Sequence, residues 1–186
     1  MTPPETPGKI QSERKYTGKI IAVDRDTVRF PDGSTGELDI IRHPGASAIV
    51  PFLSELSDDD PQLLLLRQYR YAAGNYLYEI PAGRLEPGED PRDCAARELR
   101  EETGCVAERL EFMFSMLTTP GFTDERIHVF LAAGLRRGAT AHESDEFMTV
   151  ETMTLSRALE LIKEGAISDA KTALSILYAA GFRAGH

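Results

Sequence analysis

With 186 residues, 41% hydrophobic and 27% charged, the chain has an ordinary globular composition and enough length to bury one core. A net charge of −9 argues against a nucleic-acid duplex as partner, and no apolar run reaches the length of a membrane span. The opening MTPPETPGK lacks a leader's apolar stretch, and Cys94 and Cys105 are too few for a disulfide framework, so a cytoplasmic protein is expected.

In chain order, residues 1–13 are Pro-rich and polar and read as a flexible tail. Short strands are expected over 18–23, 27–30 and 37–42, with Pro31-Asp32-Gly33 as a hairpin turn. Residues 14–43 therefore form a small antiparallel β element ahead of a main domain at 44–186. Apolar strands follow at 46–53, 62–69 and 76–80, and Asp58-Asp59-Asp60-Pro61 reads as an exposed turn. After a Gly- and Pro-bearing loop at 82–89, Asp90 is suited to cap a helix, Pro91 to its first turn and Gly104 to its stop. Further strands are expected at 107–117, 127–133 and 147–153, and helices at 156–164 and 168–180. Loops are expected at 118–126 and, strongly acidic, at 142–146. Mixed strands with one central and two terminal helices predict an α/β (α+β) fold, an α/β/α sandwich on a mixed sheet.

The helix over 91–103 carries the chemistry. Ala96, Leu99 and Thr103 share one face, expected to pack on the sheet, whereas Glu98, Glu101 and Glu102 share another. Clustered carboxylates repel unless positive charge lies among them. Arg97 is one turn before Glu101 and is placed to neutralise or orient a glutamate. The remaining oxygens are what a hard divalent cation takes as ligands. Charge alone does not separate such a site from a solvated acidic face; spacing does.

From Gly83 the chain reads five residues to Glu89, seven more to Arg97, then Arg97-Glu98-Leu99-Arg100-Glu101-Glu102-Thr103-Gly104. This resembles the Nudix box at every fixed position, with Cys105 in a final slot more usually aliphatic. Cysteine buries like a small hydrophobe, so the departure is mild. The resemblance implies a Nudix fold and hydrolysis of a nucleoside diphosphate derivative. It also implies Mg²⁺ (or Mn²⁺) held by Glu98 and Glu102 with Glu101 joining or supporting them, Arg97 orienting a glutamate, and Glu89 assisting the metal shell.

Flanking segments narrow the class. Glu79-Ile80-Pro81-Ala82-Gly83 resembles the E-x-P-A-G stretch of ADP-ribose pyrophosphatases, which implies the Ala82 carbonyl as a further metal ligand. Within Arg67-Gln68-Tyr69-Arg70, Arg70 takes the place of a substrate-contacting arginine. Pro120 follows Gly104 by sixteen residues, as in that subfamily, and Glu125 is in the matching place. Glu79, Pro120 and Glu125 are therefore expected at the substrate. The subfamily further implies a homodimer through the N-terminal strands, with Arg42 as a group donated across it. It also implies a general base in the acidic loop, where Glu143, Asp145 and Glu146 are the candidates, Glu143 the first of them, with Asp145 or Glu146 closing on a metal. ADP-ribose hydrolysed to AMP and ribose 5-phosphate is the expected reaction. GDP-mannose or UDP-sugars are the enzymatic alternative. A Nudix domain kept only as a ligand-binding module would have lost a box carboxylate, and none is missing.

Overall fold

The computed structural model describes residues 6–137 and 148–184. The chain divides into two compact units, one of Met1–Gly45 with Met116–Ile127, the other of Ala46–Ser115 with His128–His186.

The first unit is built on β1 (Gly8–Thr17), β2 (Ala22–Arg29) and β3 (Thr35–Arg42), antiparallel in the order β1-β2-β3. β1 starts inside the stretch expected as a tail, so residues 8–13 are corrected to strand. They lack an apolar alternation because polar cross-strand pairs hold them instead. Ser12 donates to Asp26 at 2.5 Å and Arg14 pairs with Asp24. Both aspartates are buried. From β3, Arg42 donates through Nε to Asp24 at 3.0 Å, through Nη1 to Asp124 at 3.1 Å, and also to Asp26. Burial opposes the Arg42 charge, but these three aspartates outweigh it and hold the guanidinium pKa above its ordinary range. The bonds from Arg14 and Arg42 in turn lower the Asp24 pKa.

Met116–Ile127 belongs to this first unit. The Ile41 N–H donates to the Phe122 carbonyl at 2.8 Å, and Asp124 accepts from the His43 N–H at 2.9 Å.

The second unit contains β4 (Ala46–Pro51), β5 (Gln62–Arg70), β6 (Asn75–Glu79), β7 (Ala82–Arg84), α1 (Pro91–Thr103), β10 (Met148–Thr154), α2 (Leu155–Lys163) and α3 (Ala170–Ala179). With β8 (Cys105–Leu117) and β9 (Arg126–Arg137) these strands form two sheets, ordered β10-β5-β6 and β7-β4-β9-β8. The result is the expected α/β fold, dominated by strands. β4 is buried along its whole length, as a mostly apolar strand covered on both faces is, and its one polar side chain, Ser47, donates to the Pro91 carbonyl at 2.7 Å. α1 packs on β4 and β7, α2 on β10, and α3 on β4 and β6. Ile49, Ala95, Leu99, Leu110, Phe130 and Ala132 form one core cluster. The Asp60 carboxylate in the acidic turn accepts the Ser156 N–H at 2.9 Å, tying that turn to the start of α2. Where a loop was expected from residue 82, β7 is a short strand paired with β4, Ala82 standing opposite Ala48. Among the described residues no helix is long and apolar enough to cross a membrane.

Candidate active site

α1 is fixed at both ends by local chemistry. The Asp90 side chain accepts the Arg92 N–H at 2.8 Å, Pro91 occupies the first turn, and Gly104 closes the helix with φ 68°, a conformation that glycine takes without penalty. The buried face differs from the one expected. Ala96 is exposed, while Cys94, Ala95 and Leu99 are buried together with Glu98 and Glu102. Two of the three box carboxylates therefore face inward, at 8% and 5% exposure, where a charge needs partners.

Arg97 supplies several of those partners. Its Nε and Nη2 form a fork on the Glu89 carboxylate at 2.9 and 3.0 Å. Nη1 donates to Glu98 at 2.5 Å and to Glu101 at 3.1 Å, and Nη2 also reaches the Arg84 carbonyl at 3.1 Å. Glu89, then burial acting the other way, then Glu98 are the largest influences, and the sum raises the Arg97 pKa. One guanidinium thus holds three glutamates. Glu102 is held differently, accepting the Ala82 N–H through Oε2 at 2.9 Å. That bond joins the E-x-P-A-G segment to the box. Cys94 donates weakly to the Gly83 and Arg84 carbonyls at 3.6 Å, and burial pushes its thiol up to about 11, so it packs rather than reacts.

Glu89 yields a pH prediction. Its bonds from Arg97, then from the Glu86 N–H, lower its pKa from 4.5 to about 2. A carboxylate depressed in the folded state stabilises fully above its unfolded pKa, and that contribution fades as the pH falls from 4.5 toward 2. Unfolding free energies measured across this window should fall more steeply for the wild type than for Glu89→Gln. Parallel curves for the two proteins would rule out this ion pair as a source of acid sensitivity.

Elsewhere in the second unit, Glu79 is buried at the end of β6, taking Arg70 Nε on Oε2 at 2.7 Å and Lys171 Nζ on Oε1 at 2.8 Å. Sequence reasoning named Arg70 and Glu79 but missed Lys171, which lies 92 positions further along the chain. Arg42, Pro120 and Glu125 belong to the first unit. There Pro120 follows Thr119, whose carbonyl accepts the Phe122 and Thr123 N–H groups, and Glu125 accepts from Thr118 Oγ1 at 2.9 Å. Glu143, Asp145 and Glu146 lie outside the described residues.

Among the described residues no three carboxylate, imidazole or thiol side chains form a complete metal cage. The donor set still fits a small hard cation. Such ions take one or two carboxylates and complete their shell with water and substrate phosphates. Glu98 and Glu102 supply two buried carboxylates, and Gly83 makes room for one: a Cβ built there would overlap the Glu98 carboxylate.

A sequence profile of the NUDIX domain matches residues 44–174. The chain belongs to the Nudix family. Nudix hydrolases generally use divalent metal ions, in keeping with the oxygen donors on α1. This Nudix chain is 40% identical over 171 residues to the methanol dehydrogenase activator of Bacillus methanolicus, an alignment covering 91% of this chain and 90% of the relative. It is 39% identical, with the same two coverages, to the ADP-ribose pyrophosphatase of Bacillus subtilis (strain 168). Its fold is similar to the crystal structure of an ADP compounds hydrolase, with a TM-score of 0.80 over 98% of this chain and 96% of the other at 20% identity.

Proposed function

We propose that this chain is a cytoplasmic, Mg²⁺-dependent pyrophosphohydrolase that cleaves ADP-ribose to AMP and ribose 5-phosphate, with Mn²⁺ able to substitute. The observation that carries the chemistry is the buried pair Glu98 and Glu102 on one helix, with Glu102 bonded to the Ala82 N–H. Similarity to an ADP-ribose pyrophosphatase over most of the chain supports the substrate.

In this reading Glu98, Glu102 and the Ala82 carbonyl would hold the metal, Glu101 would support them, and Glu146 or Asp145 would add a ligand. A divalent cation bound there supplies charge neutralisation on the diphosphate and a lowered pKa for the attacking water. Arg97 keeps Glu98 and Glu101 aimed through its bonds at 2.5 and 3.1 Å. Glu143, or failing it Asp145 or Glu146, takes the proton of a water whose oxygen bonds to one phosphorus. The bridging P–O bond breaks, and its electron pair leaves with the departing phosphate.

Arg70, partly exposed while bonded to Glu79, is the cation for the diphosphate. A homodimer through the N-terminal sheet is supported by β1, whose ten residues are all exposed along a sheet edge. Arg42, donated across that dimer, completes the substrate contacts with Pro120 and Glu125. To serve, Arg42 must exchange one of its aspartate partners.

The deciding assay is phosphatase-coupled phosphate release from ADP-ribose, GDP-mannose, UDP-glucose, NADH and diadenosine polyphosphates, with Mg²⁺ and with EDTA. ADP-ribose should turn over fastest, and EDTA should abolish it. Faster turnover of GDP-mannose or UDP-glucose would move the chain to a broader nucleoside diphosphate sugar hydrolase. In the same assay Glu143→Gln should lower kcat, and an unchanged rate would pass the base to Asp145 or Glu146, or back into the box.

A further inference from the structure

Each of the four residues 79–82 is anchored by a different contact. The Glu79 carboxylate is held by Arg70 of β5 and Lys171 of α3, at 2.7 and 2.8 Å. The Ile80 N–H donates to Thr172 Oγ1 at 2.9 Å. The Pro81 carbonyl accepts the Ile49 N–H of β4 at 2.9 Å. The Ala82 N–H donates to Glu102 of α1, also at 2.9 Å. Two of these anchors come from the first turn of α3, and one residue organises both. Asp169, the N-cap, accepts from Lys171 Nζ at 2.8 Å, from the Thr172 N–H at 3.0 Å and from Thr172 Oγ1 at 2.5 Å. Thr172 is fully buried, and its hydroxyl both donates to Asp169 and accepts from Ile80, so its rotamer and the strand's position are set together.

We infer that the N-terminal turn of α3 is a positioning element for the 79–82 segment, and that Lys171 and Thr172 thereby set the affinity of the site for its divalent cation. Neither residue is among the metal ligands or substrate contacts of the proposed function. They act through Ala82, whose N–H aims the Glu102 carboxylate and whose carbonyl the hydrolase reading makes a ligand; the inference rests on that reading. Groups that hold metal ligands in place govern affinity almost as strongly as the ligands themselves. The C-terminal helix is therefore part of the site, although it follows the box by some seventy residues.

The test is titration of the metal-free full-length protein with Mn²⁺ alone, read by electron paramagnetic resonance, with Tm recorded for each variant. Thr172→Val keeps the shape but loses the acceptor for Ile80, and Lys171→Met loses the charge on Glu79. Each should weaken Mn²⁺ binding by about 10- to 100-fold, as loss of an outer partner does. Thr172→Ser and Lys171→Arg keep the bonding groups and should bind within a few-fold of wild type. A lowered Tm with wild-type Mn²⁺ affinity in both removal variants would reduce the network to fold support and overturn the inference. Equal weakening in Thr172→Ser and Lys171→Arg would overturn it as well. If Thr172→Val does not fold, Lys171→Met decides, since that side chain is at the edge of the network rather than in its core. Wild-type affinity in Glu102→Gln would overturn the metal reading itself, and this inference with it.

Discussion

Glu102→Gln should lower kcat for ADP-ribose hydrolysis by on the order of 10²- to 10³-fold in a protein that remains folded. Glutamine matches glutamate in shape, and its carbonyl oxygen can still accept the Ala82 N–H that Glu102 accepts at 2.9 Å. What it removes is one anionic oxygen donor from a site with two buried carboxylates. A metal ion contributes several kcal/mol of charge stabilisation in the transition state, and each ~1.4 kcal/mol is a decade in rate, which sets the expected range. Burying a neutral amide in place of a charge costs less desolvation, so Tm without metal should not fall. Steady-state kinetics at saturating and limiting Mg²⁺, beside a thermal melt, check both halves. Turnover within a few-fold of wild type would remove Glu102 from the site, whatever the melt gives.

Much of α1 was legible because its signals are local. Asp90, Pro91 and Gly104 bound the helix within the sequence itself, and the observed span Pro91–Thr103 follows them. The register of Glu98, Glu101 and Glu102 is equally local. What the helix buries was not legible. Periodicity put Ala96 against the sheet and the acids away from it, whereas Glu98 and Glu102 turn inward and Ala96 outward. A carboxylate is buried only where partners await it, and these include the Ala82 N–H, 20 positions before Glu102. No helical pattern carries that information.

The same limit explains β1 and Lys171. β1 has ten exposed residues and no apolar stripe, so a hydrophobic pattern cannot find it; Ser12 and Arg14 are explained only by Asp26 and Asp24 across the ladder. Lys171 reads as one solvated lysine until the fold brings it to Glu79. The box is sequence-local because one helix and its approach loop contain it. The elements that brace it come from the rest of the second unit.

Gly83→Ala should abolish most activity while leaving stability nearly unchanged. Gly83 is not among the positive-φ glycines, so alanine can adopt its backbone, and the lost freedom of the unfolded chain favours the variant by some tenths of a kcal/mol. Its Cβ, however, would overlap the Glu98 carboxylate. The nearest atoms are the far end of a side chain rather than backbone, so the strain is relieved by swinging Glu98 aside. That motion breaks its 2.5 Å bond to Arg97 and moves one of the two buried carboxylates from its place. The expected result is a Tm within a few degrees of wild type, with kcat down by about 10²-fold or more. A double-mutant cycle identifies the route. If the methyl group acts through Glu98, then Gly83→Ala combined with Glu98→Gln should be no slower than Glu98→Gln alone. Additive losses would mean that the methyl group disturbs the backbone of β7 instead. Full activity in Gly83→Ala would show that Glu98 need not stand where it does.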